Sequence, residues 1–282
     1  MTGPPYRPAV TIRSAPGARS FAFVIPGAGA SVTCFLPLAE SLSLPISIVG
    51  MQSRGIDGQH APHSSVESAV TTYLDAVLEI CPAGPYRLLG HSFGGWLAFE
   101  LARRLVSLGR EVSPVVMLDP EPPSRRLEPG VKYDRPAVLK KYVRILEKYA
   151  GRSLGLELGA LRLLDEERQM TALADAMKAA RIVPKSASTS LIRNCLTVFE
   201  AQLNIRYVPE GRLPTDVHLL QTDDVDTDDD EWTTPEEARE RWCAWAPNLK
   251  AHRVPGDHMT MLEVPHVEST SNLLKEVWKA AS

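Results

Sequence analysis

The stretch Gly90-His91-Ser92-Phe93-Gly94-Gly95 limits what this chain can fold into more than any other segment. It follows the apolar run Tyr86-Arg87-Leu88-Leu89 and opens the helical run Trp96 to Leu108. Strand, sharp turn and helix with a serine at the apex is the context that gives a G-x-S-x-G match its meaning, because such a turn holds the serine side chain clear of a sheet. Glycines are needed on both sides. The serine backbone is expected in a strained conformation, and neighbouring strand and helix leave no room for side chains. The sequence therefore predicts Ser92 exposed above a sheet.

The flanking chain supplies that sheet. Phe21-Ala22-Phe23-Val24-Ile25 is apolar throughout, as a strand buried on both faces should be. It runs into the small residues Pro26-Gly27-Ala28-Gly29-Ala30-Ser31 and a helix near Val32 to Leu42. So small a loop lets backbone N–H groups approach a ligand closely, and the lysine and spacing of a P-loop are missing, which sets a phosphate cradle aside. A second strand, Ile46 to Met51, ends in the polar loop Gln52 to Gly58. Ser64-Ser65-Val66-Glu67 has capping-box spacing, and Val66, Val70, Tyr73, Leu74, Val77, Leu78 and Cys81 then share one helical face. After the serine segment comes the strand Val115-Val116-Met117-Leu118, with Asp119 at its carboxyl end. Alternation of this kind predicts an α/β fold: a mostly parallel sheet, helices on both faces, and functional groups at the carboxyl ends of the strands.

From about Glu121 to Leu213 the alternation stops. Pro122, Pro123, Glu128-Pro129-Gly130 and Pro136 break the chain, and three helical patterns follow, Leu139 to Tyr149, Glu166 to Ala180 and Ser188 to Leu203. A block like this between two sheet strands reads as a long helical lid over the strand ends, with Tyr142, Leu146, Met170, Leu173, Met177, Phe199 and Leu203 as its own small core. The sheet resumes at Val217-His218-Leu219-Leu220, followed by a helix around Glu236 to Trp245, a strand near Leu249 to Val254, and a terminal helix opened by Pro265. The expected organisation is a lead-in or linker over 1–20, a core over 21–120 and 214–282, and the lid over 121–213.

Composition narrows the function classes. A chain of 282 residues with 44% hydrophobic residues can bury one large core with an insertion. A net charge of -3 offers no basic patch for nucleic acid. Cys34, Cys81, Cys195 and Cys243 are far apart and lack ligand spacing, which indicates neither a disulfide framework nor a metal site. No apolar run reaches the length of a membrane span and no signal peptide is evident, so the expectation is a cytoplasmic protein. The acidic run Asp223 to Glu231 fails the EF-hand pattern, with Pro235 where a bidentate glutamate belongs, and reads as a solvated loop.

A serine hydroxyl needs a base to take its proton, and that base needs a carboxylate to orient it. His258, in a loop after the last core strand, is the candidate base; His91 is beside the serine but turned away by alternation, and the remaining histidines have no matching position. Asp119, a single carboxylate between Leu118 and Pro120, is the favoured acid, with Asp223 or Asp224 one strand later as the alternative. Asp257 points elsewhere. Two donors for a developing oxyanion are expected from backbone N–H groups, one at Phe93 and one at Ala28. Serine, acid and histidine in this chain order are those expected of an α/β-hydrolase.

The segment Gly84 to Ala102 is similar to the nucleophile region of the thioesterase domains that end non-ribosomal peptide and polyketide synthases. Gly50 to Gly58, Met117-Leu118-Asp119 and Pro255-Gly256-Asp257-His258 match that family's other landmarks, in order. The resemblance implies an α/β-hydrolase with no cofactor of its own, whose substrate arrives on the phosphopantetheine of an acyl or peptidyl carrier protein. It implies attack by Ser92, proton transfer through His258, and release of an acid, a macrolactone or a macrolactam. In releasing domains the acid occupies the position of Asp119, whereas in stand-alone editing thioesterases it often lies where Asp223 stands. The loop around Arg54 and Gly55 favours the releasing group. A stand-alone editing thioesterase or a general carboxylesterase, and a non-catalytic hydrolase-shaped module, are the competing readings.

Overall fold

The computed structural model describes residues 5–17, 20–123, 132–223 and 233–279 of the chain. The first half contains β1 (Ala9–Arg13), β2 (Phe21–Ile25), α1 (Leu36–Ser41), β3 (Ser47–Met51), α2 (Val66–Ile80), β4 (Arg87–His91), α3 (Phe93–Ser107) and β5 (Val115–Leu118). Among the described residues four helices follow without a strand: α4 (Arg135–Ala150), α5 (Leu158–Leu161), α6 (Glu166–Ala179) and α7 (Thr189–Leu203). The chain then returns to the sheet through β6 (Val217–Gln221), α8 (Pro235–Cys243), β7 (Leu249–Arg253) and α9 (Val267–Lys279).

The strands lie in the order β1-β3-β2-β4-β5-β6-β7, and every neighbouring pair except β1 with β3 is parallel. Successive side chains of a strand face opposite sides, so the unbroken apolar runs of β2 and β4 feed two cores at once. On one face Phe23, Ile25 and Leu88 pack with Tyr73, Leu101 and Trp242 of α2, α3 and α8. On the other, Ala22, Val24 and Leu89 pack with Leu38, Leu274 and Trp278 of α1 and α9. Helices therefore cover both faces, and β4, which carries the serine, is the middle strand.

Some local expectations shift. Within the stretch read as a lead-in, Ala9–Arg13 becomes an edge strand, antiparallel to β3. The capping box of α2 is built one residue later than its sequence pattern suggests: Ser65 Oγ accepts from the Ser68 N–H and Ser68 Oγ accepts from the Ser65 N–H, with Glu67 in the first turn outside it. Pro136 opens a helix instead of breaking one, because the first turn has no use for its missing N–H, and Asp134 caps it. His91 belongs to β4 and not to the turn. The acidic run lies outside the described residues from Asp224 to Glu231.

The helices between β5 and β6 share a hydrophobic cluster of their own. Tyr142, Leu146, Met170, Leu173, Met177 and Phe199 are buried in it, with Leu203 packed alongside. Among the described residues, no helix is long and apolar enough to cross a membrane.

Candidate active site

Ser92 and Asp119 are the residues immediately beyond two adjacent strands. The last registered pair of β4 and β5 is His91 with Leu118. The ladder continues one bond further on each side: the Ser92 N–H donates to Leu118 O at 2.8 Å, and the Asp119 N–H donates to Leu220 O at 2.8 Å. Both residues then turn sharply, with φ of 53° at Ser92 and 47° at Asp119, in a region that non-glycine residues enter at a cost of about 1–3 kcal/mol. The same device at two strand ends keeps each backbone in the sheet while lifting its side chain away from it.

The surrounding glycines explain how the serine turn holds its shape. A Cβ on Gly90 would sit 2.0 Å from Gly94 O, and one on Gly94 would sit 2.2 Å from Ile25 O. Strand, turn and helix are thus in backbone contact, and α3 starts at Phe93 directly after Ser92. The first N–H groups of a helix have no intrahelical acceptor, so the Phe93 N–H is available to an anion.

His258 reaches this point from the loop after β7. The loop is fixed by Asp257, whose Oδ1 accepts from the Met259 and Thr260 N–H groups at 2.8 and 2.9 Å. His258 Nδ1 lies 2.9 Å from Asp119 Oδ2, which also accepts from Thr222 Oγ1 at 3.3 Å. A carboxylate that accepts from the ring sets the tautomer: in the neutral imidazole the proton is on Nδ1 and the lone pair on Nε2. The alternative acid is elsewhere: Asp223 is 84% exposed and lies 3.3 Å from Arg253. Asp224 lies outside the described residues.

Ser92, His258, Gly27, Ala28 and Phe93 all border one cavity of about 200 Å³. Its walls are mostly apolar, with Trp96, Ile145, Phe199, Leu203 and Ile205 among them, and Lys141, Arg144 and Lys148 of α4 add a basic row. Two of the seven apolar residues assigned from sequence to the insertion's core, Phe199 and Leu203, therefore also face the cavity. The basic residues of α4 went unnoticed, because a charged helix stripe looks like a solvated one until the fold shows what it faces.

His91 is the clearest departure from expectation. Instead of being turned away, it is buried, its ring centroid is 4.9 Å from that of His258, and its Nε2 lies 2.7 Å from the His258 carbonyl oxygen. Burial first, and the neighbouring His258 second, pull its pKa from 6.5 down to about 4. It is therefore neutral near pH 7, and since a carbonyl only accepts, its proton is on Nε2. A nearby residue that the sequence also gave no reason to single out is Gln202, on the cavity wall at the end of α7. The only hint was a polar residue on the apolar stripe of α7, three positions after Phe199.

Known proteins resemble this chain along most of its length. Chondramide synthase of Chondromyces crocatus is 30% identical over 257 residues, which is 90% of this chain and 6% of that protein. The solved Vlm2 thioesterase domain is 26% identical with a TM-score of 0.67, covering 95% of this chain and 96% of that one. The type II thioesterase BorB from the borrelidin biosynthetic cluster shares the fold at 22% identity and a TM-score of 0.64, covering 96% of both chains. The family model of the thioesterase domain matches residues 22–276, from the first core strand into the terminal helix. Matched by that model over most of its length, the chain belongs to the thioesterase domain family.

Proposed function

We propose that this domain releases an acyl or peptidyl chain from the phosphopantetheine thioester of a carrier protein, through an acyl-enzyme on Ser92. The observation that carries the reading is the 2.9 Å pair of His258 Nδ1 and Asp119 Oδ2 at a cavity that also holds Ser92. Ser92 Oγ attacks the thioester carbonyl carbon and His258 Nε2 takes its proton, while Asp119 holds the imidazolium that forms. The developing oxyanion lies against the Ala28 and Phe93 N–H groups. When the tetrahedral adduct collapses the C–S bond breaks, the sulfur leaves with the proton from His258, and the chain remains esterified to Ser92. A water, or a hydroxyl or amine of the chain itself, then gives its proton to His258 and attacks the ester, releasing an acid or a macrocycle.

No cofactor of the domain's own enters these steps. Residues 121–213 act as a lid whose inner side guides the chain, a role supported by the cavity-facing residues of α4 and α7. The carrier partner is supported by the match to a synthase of which this chain spans 6%.

The test is incubation with acyl-carrier thioesters, soluble thioester mimics and simple esters, followed by intact-mass spectrometry. The expected result is a covalent acyl adduct in the parent and none in Ser92→Ala, with thioesters turned over faster than esters. Adduct formation in Ser92→Ala, or a preference for simple esters, refutes the proposal.

A further inference from the structure

The small-residue turn that carries Ala28 is held from two sides by carboxamides. Across the turn itself the Ala30 N–H donates to Gly27 O at 3.2 Å, and the third position, Gly29, has a φ of 67°. That sign at the third position is what a type II turn requires, and types I and II differ in which way the central peptide faces. Here the central peptide is Ala28–Gly29, and its N–H donates at 2.8 Å to Oε1 of Gln202, a residue 8% exposed. Gln202 Nε2 in turn donates to Ser53 Oγ at 3.1 Å. The Gly29 N–H fixes which end of the amide faces the turn, since the flipped amide would set Nε2 against an N–H, and the Ser53 hydroxyl can accept from the other end. On the other side Gln52 Nε2 donates to Ala30 O at 3.3 Å, and its Oε1 accepts from the Val32 N–H at 3.1 Å.

Peptide planarity makes this consequential. Holding the Gly29 N–H fixes the whole Ala28–Gly29 plane, and the turn bond from the Ala30 N–H to Gly27 O ties the Gly29–Ala30 plane to the Gly27–Ala28 plane, which carries the Ala28 N–H. The Ala28 N–H takes part in neither bond, and Ala28 borders the cavity. The contact with α7 is also too close to adjust: a Cβ on Gly29 would lie 2.6 Å from Phe199 Cβ and 2.8 Å from Cys195 O. The turn therefore rests on the α7 backbone, with Gln202 as a polar tie to that helix.

We propose that Gln202 is a positioning residue for oxyanion binding: by holding the Ala28–Gly29 peptide it fixes the turn and, through it, the adjoining Gly27–Ala28 peptide whose N–H faces the reaction, and it makes that donor depend on α7 being seated. The inference rests on the reading of Ser92 and Ala28 given above. Gln202 touches no reacting atom in this scheme, so its removal weakens the chemical step and not the binding of the chain.

The experiment compares the full domain with Gln202→Leu and Gln202→Glu, measuring kcat and KM on a soluble thioester together with thermal midpoints. Removing one oxyanion donor outright costs about 10²–10³ in rate, so a donor left in place but loosened predicts a fall of roughly 10- to 100-fold in kcat for Gln202→Leu, with KM held within about twofold. Gln202→Glu keeps an oxygen toward the Gly29 N–H and is expected to recover kcat to within about fivefold of the parent. A Leu variant with parental kcat, a loss that falls on KM instead, or a Glu variant as slow as Leu overturns the proposal. Should Gln202→Leu not fold, Ser53→Ala takes its place: it frees the far end of the carboxamide without touching the turn. A several-fold drop in kcat at constant KM is expected, and no drop overturns the inference. Ser92→Ala run alongside separates the two levels. Turnover surviving in that variant refutes the serine mechanism itself, whereas a dead Ser92→Ala beside a fully active Gln202→Leu refutes only the role of Gln202.

Discussion

Gly94 sits in the first turn of α3, and replacing it by alanine sets two effects against each other. Helix propensity alone favours alanine over glycine by up to about 1 kcal/mol, and Gly94 has no positive φ to forbid the change. Contact with β2 opposes it. The added Cβ would lie 2.2 Å from Ile25 O and 2.7 Å from Pro26 O, where ordinary contact begins at 3.4 Å. Backbone must therefore yield by about 1 Å, and neither partner is a side chain that can rotate away. Overpacking of this kind costs about 1–3 kcal/mol, so contact outweighs propensity and a net loss of about 1–2 kcal/mol is expected. For a domain of this size that is a fall of roughly 2–8 °C in Tm. Activity should fall further than stability, because the atoms forced apart are the end of β2, which feeds the Ala28 turn, and the helix start that carries Phe93. A misplacement of about 1 Å between such groups is worth roughly 100-fold in rate. Thermal unfolding and thioester turnover of Gly94→Ala measure both numbers, with Gly159→Ala, where no atom lies within 4 Å of the new Cβ, as the control. A Gly94→Ala protein with raised Tm and parental kcat would show the reasoning about the elbow to be wrong.

Asp119→Asn leaves the shape nearly unchanged but replaces a pure acceptor by a group that can face Nδ1 with N–H, so kcat/KM should fall by roughly 10³–10⁴. Asp223→Asn, exposed and beside Arg253, should stay within about twofold of the parent; steady-state kinetics on one thioester reads both. Below pH 6.5 the unfolded His91 takes up a proton that the folded one refuses until about pH 4, so stability should decline as pH falls through that window, with up to about 3 kcal/mol from this residue. Denaturant melts from pH 7 to 4 should show a shallower decline in His91→Gln than in the parent, and equal slopes would refute the assignment. His63 and His218, each also lowered to about 4, add slopes of the same sign that this difference cancels.

Much of the architecture was legible because its causes are local. The apolar run Phe21–Ile25, the serine between close-packed glycines and the strand Val115–Leu118 each state their own conformation through period, size and propensity. The four-helix stretch between β5 and β6 shows its three longer helices in the same way, through apolar residues at helical spacing. The short α5 escaped notice, since four residues carry too little periodic signal. The chain order of Ser92, Asp119 and His258 could be proposed from the sequence for a related reason: two stand directly at strand ends and the third in the loop after a strand, and the carboxyl ends of a parallel sheet share one edge.

Pairings across the chain were another matter. That β1 would close the sheet beside β3 depends on an open edge that exists only once β2 and β3 have paired. Three carboxylates, Asp119, Asp223 and Asp224, were open to His258 on sequence grounds, and only the placement of the β7 loop sets its Nδ1 2.9 Å from Asp119 while Asp223 lies against Arg253. His91 and Gln202 carry no pattern that betrays them, because their partners, a carbonyl 167 residues away and an N–H 173 residues away, are neighbours in space alone. Sequence periodicity determines which elements form and which face of each is apolar. Directional bonds between residues far apart are decided by how those elements are stacked, and that arrangement belongs to the whole chain at once.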